Sequence, residues 1–142
     1  MLLNRFHMAG NLSWVESEIT ISDDDRGILT STSRALQGQS PLVYNLQIGY
    51  DDPDRRLDMT LLYNFVGERI SEVGVLGAPD KIEQDRGELD FVLRWRWSDR
   101  AALKLNFGNL LDADFEIRQG PEITQRYRTG RTLGIGIDLD LL

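Results

Sequence analysis

Apolar side chains recur at every second position through most of this chain, and no segment shows a convincing helical period. In the closing run, which begins at about Arg131, glycine and aspartate alternate with Leu133, Ile135, Ile137, Leu139 and Leu141. Successive side chains of a strand point to opposite faces, so a period of two predicts strands with one apolar and one polar face. Such strands need an apolar neighbour on one side only, which either a protein core or lipid supplies.

The alternation is carried by six segments. They span approximately residues 5–21, 41–50, 57–65, 89–97, 102–107 and 131–141. The first segment is the least regular because its apolar parity changes after Trp14, and a β-bulge near Val15 would account for the change. We therefore predict an all-β fold, an antiparallel up-and-down meander of about six strands.

The connections between these segments alternate strictly in length. Two are short, at residues 51–56 and 98–100, and three are long, at residues 22–40, 67–87 and 108–125. Bacterial outer-membrane barrels have short periplasmic turns and long external loops, whereas a soluble sandwich has little reason to gather its long loops at one end. We expect a partial transmembrane β-barrel, and the alternative is a soluble or secreted β-sandwich or small barrel that serves as a binding module.

Composition disfavours several other classes of protein. No run approaches the roughly 20 apolar residues of a spanning helix, and the net charge of −7 comes without a basic stripe for nucleic acid. A single histidine, His7, excludes a multi-histidine metal site, and the lack of cysteine excludes a cysteine-ligated zinc site. No nucleophile motif accompanies His7, so we do not expect a Ser-His-Asp triad either. We expect no enzymatic activity, cofactor or metal. Because the first ten residues lack the apolar run of a signal peptide, export would require an N-terminal part that is missing here.

Two short motifs are better explained without a ligand. Residues 22–27, SDDDRG, lack the alternating ligand spacing and distal glutamate of an EF-hand, so we interpret them as a solvated loop. Gly134 and Gly136 lie on one strand face with no helix after them, so they are not a phosphate-binding fingerprint. His7 is interpreted as a lone polar strand residue.

Charged residues gather on the polar face near the short turns. If the strands pair in order, this charge band consists of Asp58, Arg94, Arg96, Lys104, Asp138 and Asp140. The tight turn at residues 98–100 sets Arg94 almost opposite Lys104, a like-charge pair that needs acids nearby. In a barrel the band would face the lumen, where each pair contributes about 0 to 1 kcal/mol and would dock a plug rather than hold the barrel together. In a soluble sheet the same residues would form a solvated face.

Aromatic residues gather at the same end on the apolar face. Tyr50, Trp95 and Trp97 are the candidates for an aromatic girdle at a membrane interface. The alternative is that they are ordinary core aromatics.

Several stretches together resemble a known family. They are GRTLGIGIDLDLL at residues 130–142, GNLLD at residues 108–112, the block from GQSPLVYNL to ERISEVG at residues 38–74, and AGNLSW at residues 9–14. These stretches are similar to the C-terminal barrel strands of TonB-dependent outer-membrane receptors, and the likeness covers essentially the whole chain.

The resemblance implies a barrel of about 22 strands with a plugged lumen, which takes up iron chelates, cobalamin or other scarce nutrients across a Gram-negative outer membrane. Residues 1–142 would supply only the last six strands, without a plug domain or a TonB box. The implied partners are outer-membrane lipid, the remaining strands and plug of a parent receptor, and TonB through the missing N-terminal part only. Alone the fragment could not transport, because open sheet edges are not tolerated in lipid. No motif identifies the nutrient.

The end of the chain departs from the family pattern. Members usually finish on an aromatic residue of the outward row, which is part of the signal read by the barrel-assembly machinery. Here Leu141 occupies that place and Leu142 is an extra residue. We interpret the difference as a sign of a degenerate or truncated reading frame.

Overall fold

The computed structural model describes residues 2–20, residue 30 and residues 33–140. A single 3-10 turn at Leu2–Arg5 opens this part of the chain, and β-strands form the rest of its regular structure. The strands are β1 (Phe6–Trp14), β2 (Ile19–Thr20), β3 (Ser33–Arg34), β4 (Leu42–Asp52), β5 (Leu57–Val66), β6 (Arg69–Glu72), β7 (Lys81–Glu83), β8 (Arg86–Ser98), β9 (Ala101–Gly108), β10 (Phe115–Gln119), β11 (Glu122–Tyr127) and β12 (Thr132–Leu139). Among the described residues, no helix has the length and apolar character needed to cross a membrane.

Six long strands form one sheet in the order β1-β4-β5-β8-β9-β12, and every neighbouring pair is antiparallel. The order follows the chain, so the predicted up-and-down meander of six strands is confirmed. The sheet is open: β1 and β12 are its two edges. The short turns at 53–56 and 99–100 lie at one end, which we call the tight-turn end, and the longer connections lie at the other.

The register keeps the apolar residues of all six strands on one face. Ile48 of β4, for example, lies between Met8 of β1 and Leu61 of β5. The row continues through Phe91 of β8 to Phe107 of β9. Directly opposite residues of an antiparallel pair project to the same side, so the sheet has one continuous apolar face and one polar face.

The apolar face is not covered by any other described element. Met8 is 74% exposed and Ile135 is 68% exposed, while Ala102 is the one buried hydrophobic residue in the described part of the chain. The chain exposes 9852 Å², against about 7,500 Å² for a compact protein of this mass. The described residues therefore lack the second layer of a β-sandwich, and none of them covers the apolar face.

The sheet is also staggered. Starting at Phe6 and stepping directly across each strand pair leads through Tyr50, Met59, Leu93 and Leu105 to Ile135. Because β12 continues to Leu139, its end lies four residues, or about 13 Å, beyond the level of the start of β1. Tilted strands with such a stagger are what a closing barrel requires.

The first predicted strand is shorter than expected, and the proposed bulge near Val15 is wrong. β1 ends at Trp14, and the chain then leaves the sheet to form the small β2–β3 pair. The Val15 N–H donates to the Pro41 carbonyl at 3.0 Å, but Pro41 has no N–H to return the bond. The ladder therefore stops there, and the parity change reflects a strand end. Ile21 lies outside the described residues.

A second sheet, absent from the sequence prediction, is built from the long connections. Its order is β11-β10-β7-β6, with every pair antiparallel. A two-residue turn joins β10 to β11, and Gly120 in that turn has φ +57°, a conformation that glycine adopts without steric cost. These strands are short and mostly polar, so they give little of the alternating signal that marks the main sheet.

Candidate functional site

The predicted charge band lies at the tight-turn end of the polar face. Arg94 of β8 is directly opposite Asp58 of β5 on one side and Lys104 of β9 on the other. The tight β8–β9 turn sets the second pairing, as the sequence suggested. This contact between like charges is tolerable because aspartates approach the arginines from both sides.

Two ion pairs join members of the charge band. Arg96 makes a bidentate contact with Asp58, with Nη1 to Oδ2 at 3.1 Å and Nη2 to Oδ1 at 3.3 Å. Arg94 reaches across β9, and its Nη2 lies 3.2 Å from Oδ2 of Asp138. All four side chains are partly exposed to solvent, so salt would screen both pairs.

Lys104 and Asp140 differ from the other members. The backbone N–H of Asp140 donates to the Arg100 carbonyl at 2.9 Å, but within the described residues neither Asp140 nor Lys104 has a side-chain ion pair. Opposite Lys104 on β12 is Gly136, where an added Cβ would come no closer than 3.9 Å to the lysine. The side chain of Lys104 therefore has open space beside it.

An open recess of about 310 Å³ lies over this end of the sheet. Its charged lining consists of Arg94, Arg96, Asp99, Arg100, Asp138 and Asp140. The lining presents equal numbers of basic and acidic side chains. Such a balanced, shallow surface suits contact with a polar protein surface better than capture of a small charged ligand.

The predicted girdle aromatics share the apolar face near the tight turns. The rings of Trp95 and Trp97 lie 6.3 Å apart, and both are about half exposed. Trp97 is the extra residue of an irregularity between Arg96 and Ser98, where β8 opposes β9. Tyr50 packs against Phe6 with ring centroids 4.9 Å apart.

Asp52, which no sequence motif marked as a site residue, is almost fully buried, at 1% exposure. It accepts the Arg55 N–H and the Tyr50 hydroxyl, each at 3.2 Å, and it pairs with Arg5. Arg5 also pairs with Asp54. The cluster pins the start of β1 to the β4–β5 turn. The turn motif DDPDRR was visible in the sequence, but its partner Arg5 is 47 residues from Asp52 and carried no local signal.

A second missed cluster lies in the sheet of long connections. Glu116 is almost fully buried and accepts hydrogen bonds from Arg118 and Arg126, which hold the pKa of its carboxyl below the usual 4.5. Asp114 accepts a hydrogen bond from Arg128 Nε at 2.6 Å, and this contact raises the pKa of the guanidinium. Charge-assisted bonds of this kind fix the relative positions of β10, β11 and the chain that follows.

Two aromatic contacts extend this cluster. The rings of Phe115 and Tyr127 stack with centroids 4.7 Å apart, and the Arg86 guanidinium lies 5.5 Å from the Phe115 ring centroid. These contacts hold the first residue of β8, in the main sheet, against the β10–β11 hairpin.

His7 projects from the polar face of β1. Its Nδ1 lies 3.3 Å from Oδ2 of Asp51, and its ring covers Gly49. Among the described residues, no group of three or more histidine, cysteine or acidic side chains is placed to hold a metal ion. The acidic stretch at residues 22–27 and the terminal Leu141 and Leu142 lie outside the described residues.

No protein-family model matches this sequence, and no curated protein matches it significantly. Among solved structures, the chain is similar to the ferric-catecholate import receptor Fiu from E. coli K12, in the crystal structure of its closed form, with a TM-score of 0.70 and 17% sequence identity. The match covers 95% of this chain and 19% of the receptor chain, so this chain spans about a fifth of that receptor's length. The likeness shows that the six-stranded sheet is similar to part of the β-barrel of a TonB-dependent receptor.

Proposed function

We propose that this chain is a six-stranded segment of the barrel of a TonB-dependent nutrient receptor in a Gram-negative outer membrane. The single observation that carries the proposal is the uncovered apolar face of the open, staggered sheet. In water, a continuous apolar face of this size marks an interaction site or leads to aggregation. In a bilayer it is the lipid-facing surface of a barrel.

The orientation follows from the connections. The tight turns would face the periplasm, and the longer connections, with their own four-stranded sheet, would stand on the cell surface. Trp95 and Trp97 would then lie at the periplasmic interface, where tryptophan rings are favoured. Tyr50 would lie at the same level, with its hydroxyl directed toward Asp52.

The polar face would line the lumen. The charge band of Asp58, Arg94, Arg96, Lys104, Asp138 and Asp140 would form a docking surface for a plug domain. The exposure of its ion pairs and the open space beside Lys104 and Gly136 support this role. Gly134 and Gly136 would leave room for the plug, because neither carries a side chain into the lumen.

Residues 1–142 would be the C-terminal part of the receptor, without its plug and TonB box. Transport would belong to the whole receptor, because six strands leave two open edges. Contact with TonB would come through the missing N-terminal part. The receptor that the chain resembles is a ferric-catecholate import receptor, which agrees with a nutrient such as an iron chelate. Cobalamin or a similar nutrient fits the same fold. The role is non-enzymatic.

Detergent dependence tests this proposal. The 142-residue chain is purified with and without detergent, and its β content and bound detergent are measured by circular dichroism and sedimentation velocity. We expect a β-rich protein that binds detergent and aggregates when the detergent is removed. A detergent-free, monodisperse monomer with the same β content would favour a soluble binding module instead.

A further inference from the structure

We infer that the two edges of the six-stranded sheet are complementary to each other, so that copies of this chain pair head to tail, β12 of one copy against β1 of the next. The pairing would operate where no other receptor strands occupy these edges. The inference rests on the proposed membrane-barrel segment, and it commits to a second copy of this chain as the partner.

The unpaired backbone groups of the two edges match. The bond from Val15 N–H to the Pro41 carbonyl continues the β1–β4 ladder, so the odd-numbered residues of β1 bond to β4 and the even-numbered residues point their N–H and C=O groups outward. The bond from Asp140 N–H to the Arg100 carbonyl continues the β9–β12 ladder in the same way. On β12 it is therefore the odd-numbered residues whose backbone groups point outward.

The side chains match as well. The outward-bonding residues of β1 are Phe6, Met8, Gly10, Leu12 and Trp14, and those of β12 are Leu133, Ile135, Ile137 and Leu139. Both sets belong to the apolar face. If they form the hydrogen-bonded pairs of a new ladder, the apolar face therefore continues without a break from one copy to the next.

The strand directions allow the pairing. Five antiparallel steps separate β1 from β12, so the two strands run in opposite directions. Two copies in the same orientation therefore bring β12 and β1 together as an antiparallel pair. Each copy then adds its own register shift to the ring, as each strand does in a closed barrel.

The polar-face residues of the two edges support the same arrangement. A register that levels the tight-turn ends of two copies sets Asp138 and Asp140 of one copy beside His7 of the next. Small residues meet on the polar side of the seam, since Gly134 and Gly136 approach Ala9 and Asn11. An imidazole N–H can donate a hydrogen bond to a carboxylate, and small side chains allow a close strand pair.

One copy cannot close on itself. A barrel of about eight strands has an interior just wide enough for its side chains, so six strands leave no room for Arg94, Lys104 and the rest of the polar face. Open edges are unfavourable in lipid, because each unpaired backbone group there has no water to bond to. The chain by itself therefore needs at least two copies to satisfy its edges.

Proline at an outward-bonding position tests the pairing, because it removes an N–H that only the neighbouring copy would use. The variants are Leu12→Pro on β1 and Ile135→Pro on β12, with Leu12→Ala and Ile135→Ala as controls that keep the N–H. Subunit number is measured in detergent by native mass spectrometry. We expect a closed oligomer for the wild type and both alanine controls, a monomer for each proline variant alone, and a heterodimer when the two proline variants are mixed.

Cross-linking gives a second measurement that does not depend on how well the proline variants fold. The chain has no cysteine, so Ser13→Cys and Thr132→Cys place single thiols on opposite edges. Oxidising a mixture of the two should give the heterodimer in preference to either homodimer, while Leu62→Cys in the middle of the sheet should not cross-link. Equal yields of all dimers, or proline variants that keep the wild-type size, would overturn the edge pairing.

The two proposals fail differently. If the chain is a β-rich monomer that binds detergent, the edge pairing is contradicted, but the proposed membrane-barrel segment is not. A detergent-free soluble monomer would contradict both proposals.

Discussion

His7 and Gly49 face each other across the β1–β4 pair, and their contact shows how closely the polar face is packed near the tight turns. A Cβ added at Gly49 would lie 2.0 Å from the imidazole ring. Gly49→Ala should therefore force the ring away from Asp51 and lower the free energy of unfolding by about 1 kcal/mol. Urea titration in detergent measures the change.

Two further variants make the His7 prediction specific. His7→Ala combined with Gly49→Ala should recover most of the loss, because the clashing ring is gone. Gly136→Ala should have little effect, since its nearest neighbour is 3.9 Å away. If the double variant is as unstable as Gly49→Ala alone, the destabilisation comes from the backbone at Gly49. That result would contradict a steric clash with the His7 ring.

The residues of the charge band show what alternation can and cannot predict. The pairing of Arg94 with Lys104 follows from a short turn and a fixed period, so sequence alone was enough. The pair of Arg94 and Asp138 spans β9 and needed the register of three strands. The contact of Arg5 with Asp52 depends on the path of the 3-10 turn before β1, for which the period of the strands gives no information.

At the scale of the strand, β5 provides a matched test of its two faces. Leu61 lies on the apolar face and Leu62 on the polar face, opposite Asp90 of β8. Leu61→Arg should destabilise the chain in lipid by about 2–4 kcal/mol, because the charge enters the hydrocarbon near mid-depth. Leu62→Arg should change stability by less than about 0.5 kcal/mol. Equal losses in unfolding titrations in lipid vesicles would show that the two faces do not lie in different surroundings.

The sheet of long connections should respond to acid through Glu116. Its pKa is lowered in the folded chain by Arg118 and Arg126, so the carboxylate stabilises the sheet above about pH 4.5 and this contribution disappears as the pH falls through the lower folded value. The amide protection factors of β10 and β11, which are exchange rates corrected for the intrinsic rate at each pH, should therefore fall in acid more in the wild type than in Glu116→Gln. The same acid dependence in both proteins would show that the Glu116 carboxylate does not stabilise this sheet.

Strand length explains which elements could be predicted. The long strands of the main sheet carry at least three alternations each. This signal was enough to predict each strand, even where the predicted end of a strand was wrong. β6, β7, β10 and β11 are only three to six residues long and mostly polar. They are held by ion pairs such as Arg69 with Glu83 at 2.9 Å. These two residues are 14 positions apart in the chain, so no local sequence pattern predicts their contact.

For the molecule as a whole, the organising property is one sheet with an uncovered apolar face and a polar face rich in paired charges. The alternation and the loop lengths were enough to predict this arrangement, because both are read directly from the sequence. The nutrient of the proposed receptor and the fit of a plug could not be predicted, since no motif in these residues identifies either one.

The tryptophans provide the most direct measurement of where the apolar face lies. All three tryptophans of the chain, Trp14, Trp95 and Trp97, are on that face, and the measurement is quenching of their fluorescence after the chain is reconstituted in vesicles. We expect strong quenching by brominated lipid acyl chains and little quenching by aqueous iodide. Strong quenching by iodide, with none by brominated lipid, would contradict a lipid-facing sheet.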